Sequence, residues 1–84
     1  MSAVHCEYRE VAIPLPKLKW FESPKSWLPL LAMELERLQK EGWLTDQELD
    51  LTSLMAAGCF RTGGHVTERV GSADSVVIRL RRRG

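Results

Sequence analysis

The sequence predicts an α+β fold in which a helical hairpin packs on a small sheet. Apolar residues recur at helical spacing over residues 26–58 and alternate at strand spacing over 3–16 and 65–82. Residues typical of turns separate these segments. The predicted order is therefore β-α-α-β-β, and the simplest packing lays the helical hairpin on one face of a three-stranded, at least partly antiparallel sheet.

Length and composition limit the class of protein. With 84 residues, we expect residues 1–84 to form a single compact domain with one modest core. The formal net charge of +1 gives no overall basic field for nucleic acid. No apolar run reaches the roughly 18–20 residues of a membrane span, and no secretory signal is recognisable at the N-terminus. We therefore expect a cytoplasmic protein with no membrane association.

The N-terminal segment, residues 3–16, is predicted to be an extended strand that pairs either in its own sheet or in a neighbour's. Two sets of apolar residues alternate out of phase with each other, and a bulge near Arg9 would explain the change of phase. The sets are Val4, Cys6 and Tyr8, followed by Val11, Ile13 and Leu15. Pro14 and Pro16 lack an N–H for a central ladder and end the strand.

The first helix is predicted over 27–41, with Ser26 as N-cap and Gly42 as the residue that stops it. Pro29 falls in the first turn, where its missing N–H costs nothing. One apolar stripe is sufficient for a core. Its members are Trp27, Leu28, Leu31, Leu35 and Leu38.

The second helix has the clearest local signature in the chain. Thr45 and Glu48 have the spacing of a capping box, so the helix is predicted to begin at Thr45 and to end at Gly58. The remaining alternating residues, 65–82, predict a β-hairpin with its turn at 71–74. Gly63 and Gly64 are interpreted as a turn that leads into this hairpin.

Sites for metals and for catalysis are poorly supported. A calcium loop with Gly42 at its sixth position would place the cation Arg37 at the first ligand position. The four Cys and His residues do not match a common zinc spacing. They are His5, Cys6, Cys59 and His65. We expect free cysteines, no metal and no cofactor, and the only enzyme hypothesis left open is a site built between subunits.

An excess of exposed apolar residues favours a protein-interaction module. Leu30 and Met33 lie outside the core stripe, and tryptophan is abundant for so short a chain. The interface candidates are Leu30, Met33, Trp20, Phe21, Trp27 and Trp43. We therefore predict a non-catalytic module that self-associates, as a homodimer, and modulates a larger protein. The connector over 17–25 is an alternative cover for Leu30 and Met33.

A small nucleic-acid-binding regulator is the alternative function. Six arginines fall in the C-terminal third, and Arg79 and Arg81 alternate outward on a strand, where they are suited to phosphate contact. The candidates are Arg61, Arg69, Arg79, Arg81, Arg82 and Arg83. Protection of an edge strand against aggregation explains the same pattern without a ligand.

Overall fold

A four-stranded antiparallel sheet forms the base of the structure, a computed structural model that describes residues 6–83. The strands are β1 (Cys6–Pro14), β2 (Phe60–Thr62), β3 (His65–Val66) and β4 (Ser75–Arg83). They lie in the order β1-β4-β2-β3. The predicted α+β class is confirmed, with four strands where three were expected because residues 60–62 also pair with β4.

Strand β1 pairs with β4 residue by residue, from Cys6 opposite Arg83 to Pro14 opposite Ser75. The ladder contains no extra residue, so the predicted bulge is wrong. The change of phase has another cause, since only Val11 and Ile13 pack against the core while Tyr8 stays exposed on the opposite face. The strand lies at the edge of the sheet, as the prolines predicted.

Strands β2 and β3 form a short hairpin that turns at Gly63 and Gly64. Both glycines have positive φ, 56° and 84°, the backbone that a two-residue type I′ hairpin turn requires and that L side chains rarely adopt. The prediction of one hairpin over 65–82 is therefore wrong. Residues 70–72 form a 3₁₀ turn, and β4 passes between β2 and β1 instead of returning beside β3.

Helix α1 (Trp27–Gln39) begins where the sequence predicted, but Ser26 does not cap it with its side chain. A 3₁₀ turn, Pro24–Ser26, leads directly into the helix, and the Ser23 hydroxyl accepts from the Lys25 N–H at 3.3 Å. Gly42 follows the helix with φ of 90°. Its predicted role in stopping the helix is confirmed, because the left-handed backbone lets the chain reverse.

Helix α2 (Leu51–Ala56) is much shorter than predicted, so the helical hairpin over 26–58 is wrong in its second half. Leu44 instead exchanges two backbone hydrogen bonds of 2.8 Å with Arg81 on β4. Thr45 accepts from the Gln47 N–H at 3.1 Å, and Asp50 is the true N-cap, accepting from the Ser53 N–H at 2.8 Å. Pairing with the sheet therefore outweighs the local capping signal.

The core lies between α1 and one face of the sheet. Trp27 and Phe60 are its largest fully buried side chains, with ring centroids 6.2 Å apart. The predicted helical stripe supplies its upper layer, and alternate residues of β4 supply the lower one. Those strand residues are Val76, Ile78 and Leu80. None of the helices within residues 6–83 is long and apolar enough to span a membrane.

Candidate interaction surfaces

Two adjacent exposed aromatic residues form one feature, which we call the aromatic tip, Trp20 and Phe21. The Trp20 side chain is 96% exposed and that of Phe21 is 66% exposed. The two rings meet edge to face, with centroids 5.6 Å apart. This geometry is favourable for an aromatic pair, so the rings support each other while both remain exposed to solvent.

Hydrogen bonds fix the turn that carries the aromatic tip. The Glu22 N–H donates to the Lys19 carbonyl at 2.9 Å, and the Glu22 carboxylate accepts from the Lys19 N–H at 3.0 Å. At the base of the connector, the indole N–H of Trp27 donates to the Pro16 carbonyl at 3.0 Å. The aromatic tip is therefore held at both its turn and its base, which lowers the entropy lost on binding.

Positive charge surrounds the aromatic tip in the sequence. Lys17, Lys19 and Lys25 lie within five residues of it, and Glu22 is the one acid of this connector. The Lys19 ammonium lies 5.8 Å from the centroid of the Phe21 ring, a distance suited to a cation–π contact. An apolar pocket with an acidic border would complement this surface.

The other candidates on α1 differ from each other. Leu30 is half-buried and packs against the core, as does Leu18 of the connector. Met33 remains 71% exposed. The predicted patch of Leu30 and Met33 is therefore divided, because only Met33 is left on the surface.

Two of the candidate tryptophans belong to the core. Trp27 is covered by the sheet and the connector, and Trp43 is buried beside two arginines. The guanidinium carbons of Arg82 and Arg9 lie 4.5 Å and 5.9 Å from the centroid of the Trp43 ring. Neither indole is free to insert into a partner, so the two residues stabilise the fold.

Two of the six candidate arginines lie on the face of the sheet opposite α1. Arg79 and Arg81 point to this face, but each lies beside a carboxylate, Glu10 at 3.6 Å and Asp46 at 2.9 Å. Arg82 points to the other face, where Glu7 accepts from it at 2.7 Å. These ion pairs lower the positive charge available to a phosphate backbone.

The remaining candidate arginines are dispersed. Arg61 is half-buried, and its Nε has no hydrogen-bond partner among residues 6–83. Arg69 precedes the 3₁₀ turn and Arg83 ends β4, both exposed. A shallow groove of about 270 Å³ runs along the open face past Tyr8, Arg79 and Arg81. The six arginines therefore do not form one basic surface.

Potential metal ligands do not converge in the part of the chain that is described. No three Cys, His, Asp or Glu side chains there are grouped to hold an ion. Cys6 is exposed and Cys59 is buried, and both are free thiols. Cys59 Sγ accepts from the side-chain amide of Gln47 at 3.0 Å. His5, one of the four Cys and His residues whose spacing does not match a zinc site, lies outside the described residues.

Two features that matter at the surface had no clear sequence signal. Gln47 completes the sheet with its side chain, whose Oε1 accepts from the Arg79 N–H at 2.9 Å. Tyr8 is 78% exposed although it alternates with polar neighbours as a core residue would. Tyr8 lies on the sheet face opposite the core, and the edge position indicated by the prolines leaves it with a neighbouring strand on one side only.

Comparisons of the chain with models of protein families, with curated proteins and with solved structures gave no match. We therefore infer function from the geometry of these surfaces alone.

Proposed function

We propose that this protein is a small, non-catalytic interaction module of the cytoplasm that self-associates and binds a larger protein through the aromatic tip. The observation that carries the proposal is the exposure of Trp20, at 96%. Tryptophan is enriched among the residues that dominate binding free energies. The two free thiols, Cys6 and Cys59, fit a reducing compartment.

The physical reason to expect binding at the aromatic tip is that its two rings are exposed to water and contribute little to the stability of the fold. Trp20 and Phe21 lie at the end of a fixed turn, pack edge to face on each other and do not belong to the core cluster. Moving both rings from water into an apolar pocket is favourable by about 25 cal/mol per Å² of buried apolar surface. The neighbouring lysines would orient the approach toward an acidic border and would select against basic partners.

Photocrosslinking in the native host tests this proposal. A benzophenone amino acid replaces Phe21, and the matched control carries it at Glu36, an exposed position of α1. We expect one discrete protein adduct from position 21 and none from position 36. Excess wild-type protein should suppress the adduct, whereas excess Trp20→Ala/Phe21→Ala protein should not.

Two outcomes would contradict the proposal. One is an equal yield of the same adduct from positions 21 and 36. The other is equal competition by wild type and by the Trp20→Ala/Phe21→Ala variant. Binding of the aromatic tip to anionic vesicles, without a protein adduct, would replace the protein partner with a lipid surface.

Nucleic-acid binding is the second candidate, favoured by one observation. Tyr8, Arg79 and Arg81 line the groove of the open sheet face, and stacking on an aromatic ring beside arginines suits a single strand. The carboxylates next to both arginines weaken this candidate. Fluorescence anisotropy with a labelled oligonucleotide across a salt series tests it, since phosphate contacts are strongest at low salt. Absence of binding at the lowest salt would exclude it.

A further inference from the structure

Strand β1 leaves one side of the sheet without a neighbour. It pairs along its whole length with β4, and within residues 6–83 no strand pairs with its outer side. An edge strand of nine residues presents a row of N–H and C=O groups that another strand can use.

The hydrogen bonds of β4 determine which residues of β1 point to this free edge. Val77, Arg79 and Arg81 donate their N–H groups away from β1. In an antiparallel ladder the residues directly opposite them also direct their backbone groups away from the shared side. Those residues are Ala12, Glu10 and Tyr8. The backbone of Tyr8 is therefore available for a pair of hydrogen bonds with an incoming strand.

We infer that the occupant of this edge is β1 of a second copy, paired antiparallel with Tyr8 opposite Tyr8. This inference rests on the self-association in the proposed function and gives it a location. A two-fold axis perpendicular to the sheet relates the copies and keeps both α1 helices on the same face. The two four-stranded sheets become one continuous sheet.

Charge complementarity selects this register. Centred on Tyr8, the pairing places Glu7 opposite Arg9 of the second copy, and the symmetry makes this pair twice. Directly opposite residues of antiparallel strands lie close enough for opposite charges to attract. Within residues 6–83, no carboxylate lies within ion-pair distance of Arg9, so the second copy supplies a partner that this chain lacks. The Glu7 carboxylate, which already accepts from Arg82 of its own chain at 2.7 Å, is then shared between the two arginines.

Neighbouring registers are less favourable. A centre at Arg9 or at Glu10 places a charged side chain opposite its own copy, and like charges at that distance repel. A centre at Val11 brings Pro14 opposite Tyr8. Pro14 lies at an outward-pointing position of β1 and has no N–H to donate.

The register is tested by reversing one charge in each of two variants, Glu7→Arg and Arg9→Glu, and then mixing the two variants. In Glu7→Arg, two arginines face each other in each of the two cross-strand pairs, and in Arg9→Glu two glutamates do. Each variant alone should dimerise about tenfold or more weakly than wild type. Mixed in equal amounts, they form a heterodimer in which both pairs are again opposite in sign, so dimerisation should return.

Sedimentation velocity over a range of concentrations measures these equilibria, and circular dichroism checks that each variant is folded. The Trp20→Ala/Phe21→Ala variant should dimerise like wild type, which separates this inference from the role of the aromatic tip. A second variant, Tyr8→Cys in a Cys6→Ser background, should oxidise to a covalent dimer faster than Glu22→Cys in the same background, since Glu22 is exposed and belongs to the turn of the aromatic tip and not to β1. A monomeric wild type, single variants that dimerise normally, or a mixture that stays monomeric would each overturn the inference.

Discussion

The two faces of β4 lie in opposite environments, one buried and one exposed, although their residues alternate along one strand. Val76, Ile78 and Leu80 are at most 2% exposed and face α1. Arg79 and Arg81, which alternate with these residues along the strand, face the open side and are exposed. Because a strand has a side-chain period of two, neighbouring substitutions report on different properties. We therefore expect substitutions on the covered face to change the stability of the fold and substitutions on the open face to leave it nearly unchanged.

The largest effect expected from this comparison is that of Ile78→Ala. The Ile78 side chain is fully buried, and its truncation removes apolar contacts and leaves a cavity. We expect the free energy of unfolding to fall by about 2–5 kcal/mol. Urea denaturation followed by tryptophan fluorescence measures the loss.

The matched control for Ile78→Ala is Arg79→Ala, one residue along the strand. Its side chain is exposed, so we expect a change within about 0.5 kcal/mol. A loss as large as that of Ile78→Ala would mean that the open face is also structural, and the distinction between the two faces would fail.

Gln47 binds the backbone of β4 through its side chain. Its substitution should have an effect on stability between those of Ile78→Ala and Arg79→Ala. Its side chain accepts from the Arg79 N–H and donates to Cys59 Sγ. Gln47→Ala leaves both groups without this partner, and we expect a loss of about 1–2 kcal/mol. Gln47→Glu keeps the acceptor for the Arg79 N–H and should lose less. Equal stability of wild type and Gln47→Ala would show that water replaces the side chain without cost.

Asp50 gives a smaller effect that depends on pH. Hydrogen bonds from the Ser53 N–H and hydroxyl lower the pKa of the Asp50 carboxyl below its ordinary value. A pKa lowered in the folded state stabilises the protein above the unfolded pKa, about 3.9, and this contribution is lost as pH falls through the folded pKa. Asp50→Asn should therefore be less stable than wild type at neutral pH, with the difference shrinking below about pH 4. An unchanged difference in urea midpoint between pH 7 and the acid range would contradict this role.

The sequence predicted α1 well and the segment after it poorly, and the difference has a physical cause. The stripe of α1 repeats over many residues and faces one core, so local pattern and packing agree. At Thr45 they conflict, since the capping box favours a helix while the backbone of Leu44 pairs with Arg81. A contact between residues so far apart in the sequence, such as Leu44 and Arg81, leaves no periodic pattern of apolar residues that could predict it. The aromatic tip was predicted as a connector with candidate interface residues, but its near-complete exposure required the structure.

The smallest effect expected is that of the ion pair between Arg81 and Asp46. The two atoms are 2.9 Å apart, and both side chains are more than half exposed, so water and salt screen their attraction. A double-mutant cycle of Arg81→Ala and Asp46→Ala should give a coupling below about 1 kcal/mol, decreasing with salt. A larger coupling that resists salt would mean that the open face is fixed by its own charges. A small coupling means that Arg81 can exchange Asp46 for a group on another molecule with little loss of stability, which is the property a binding face requires.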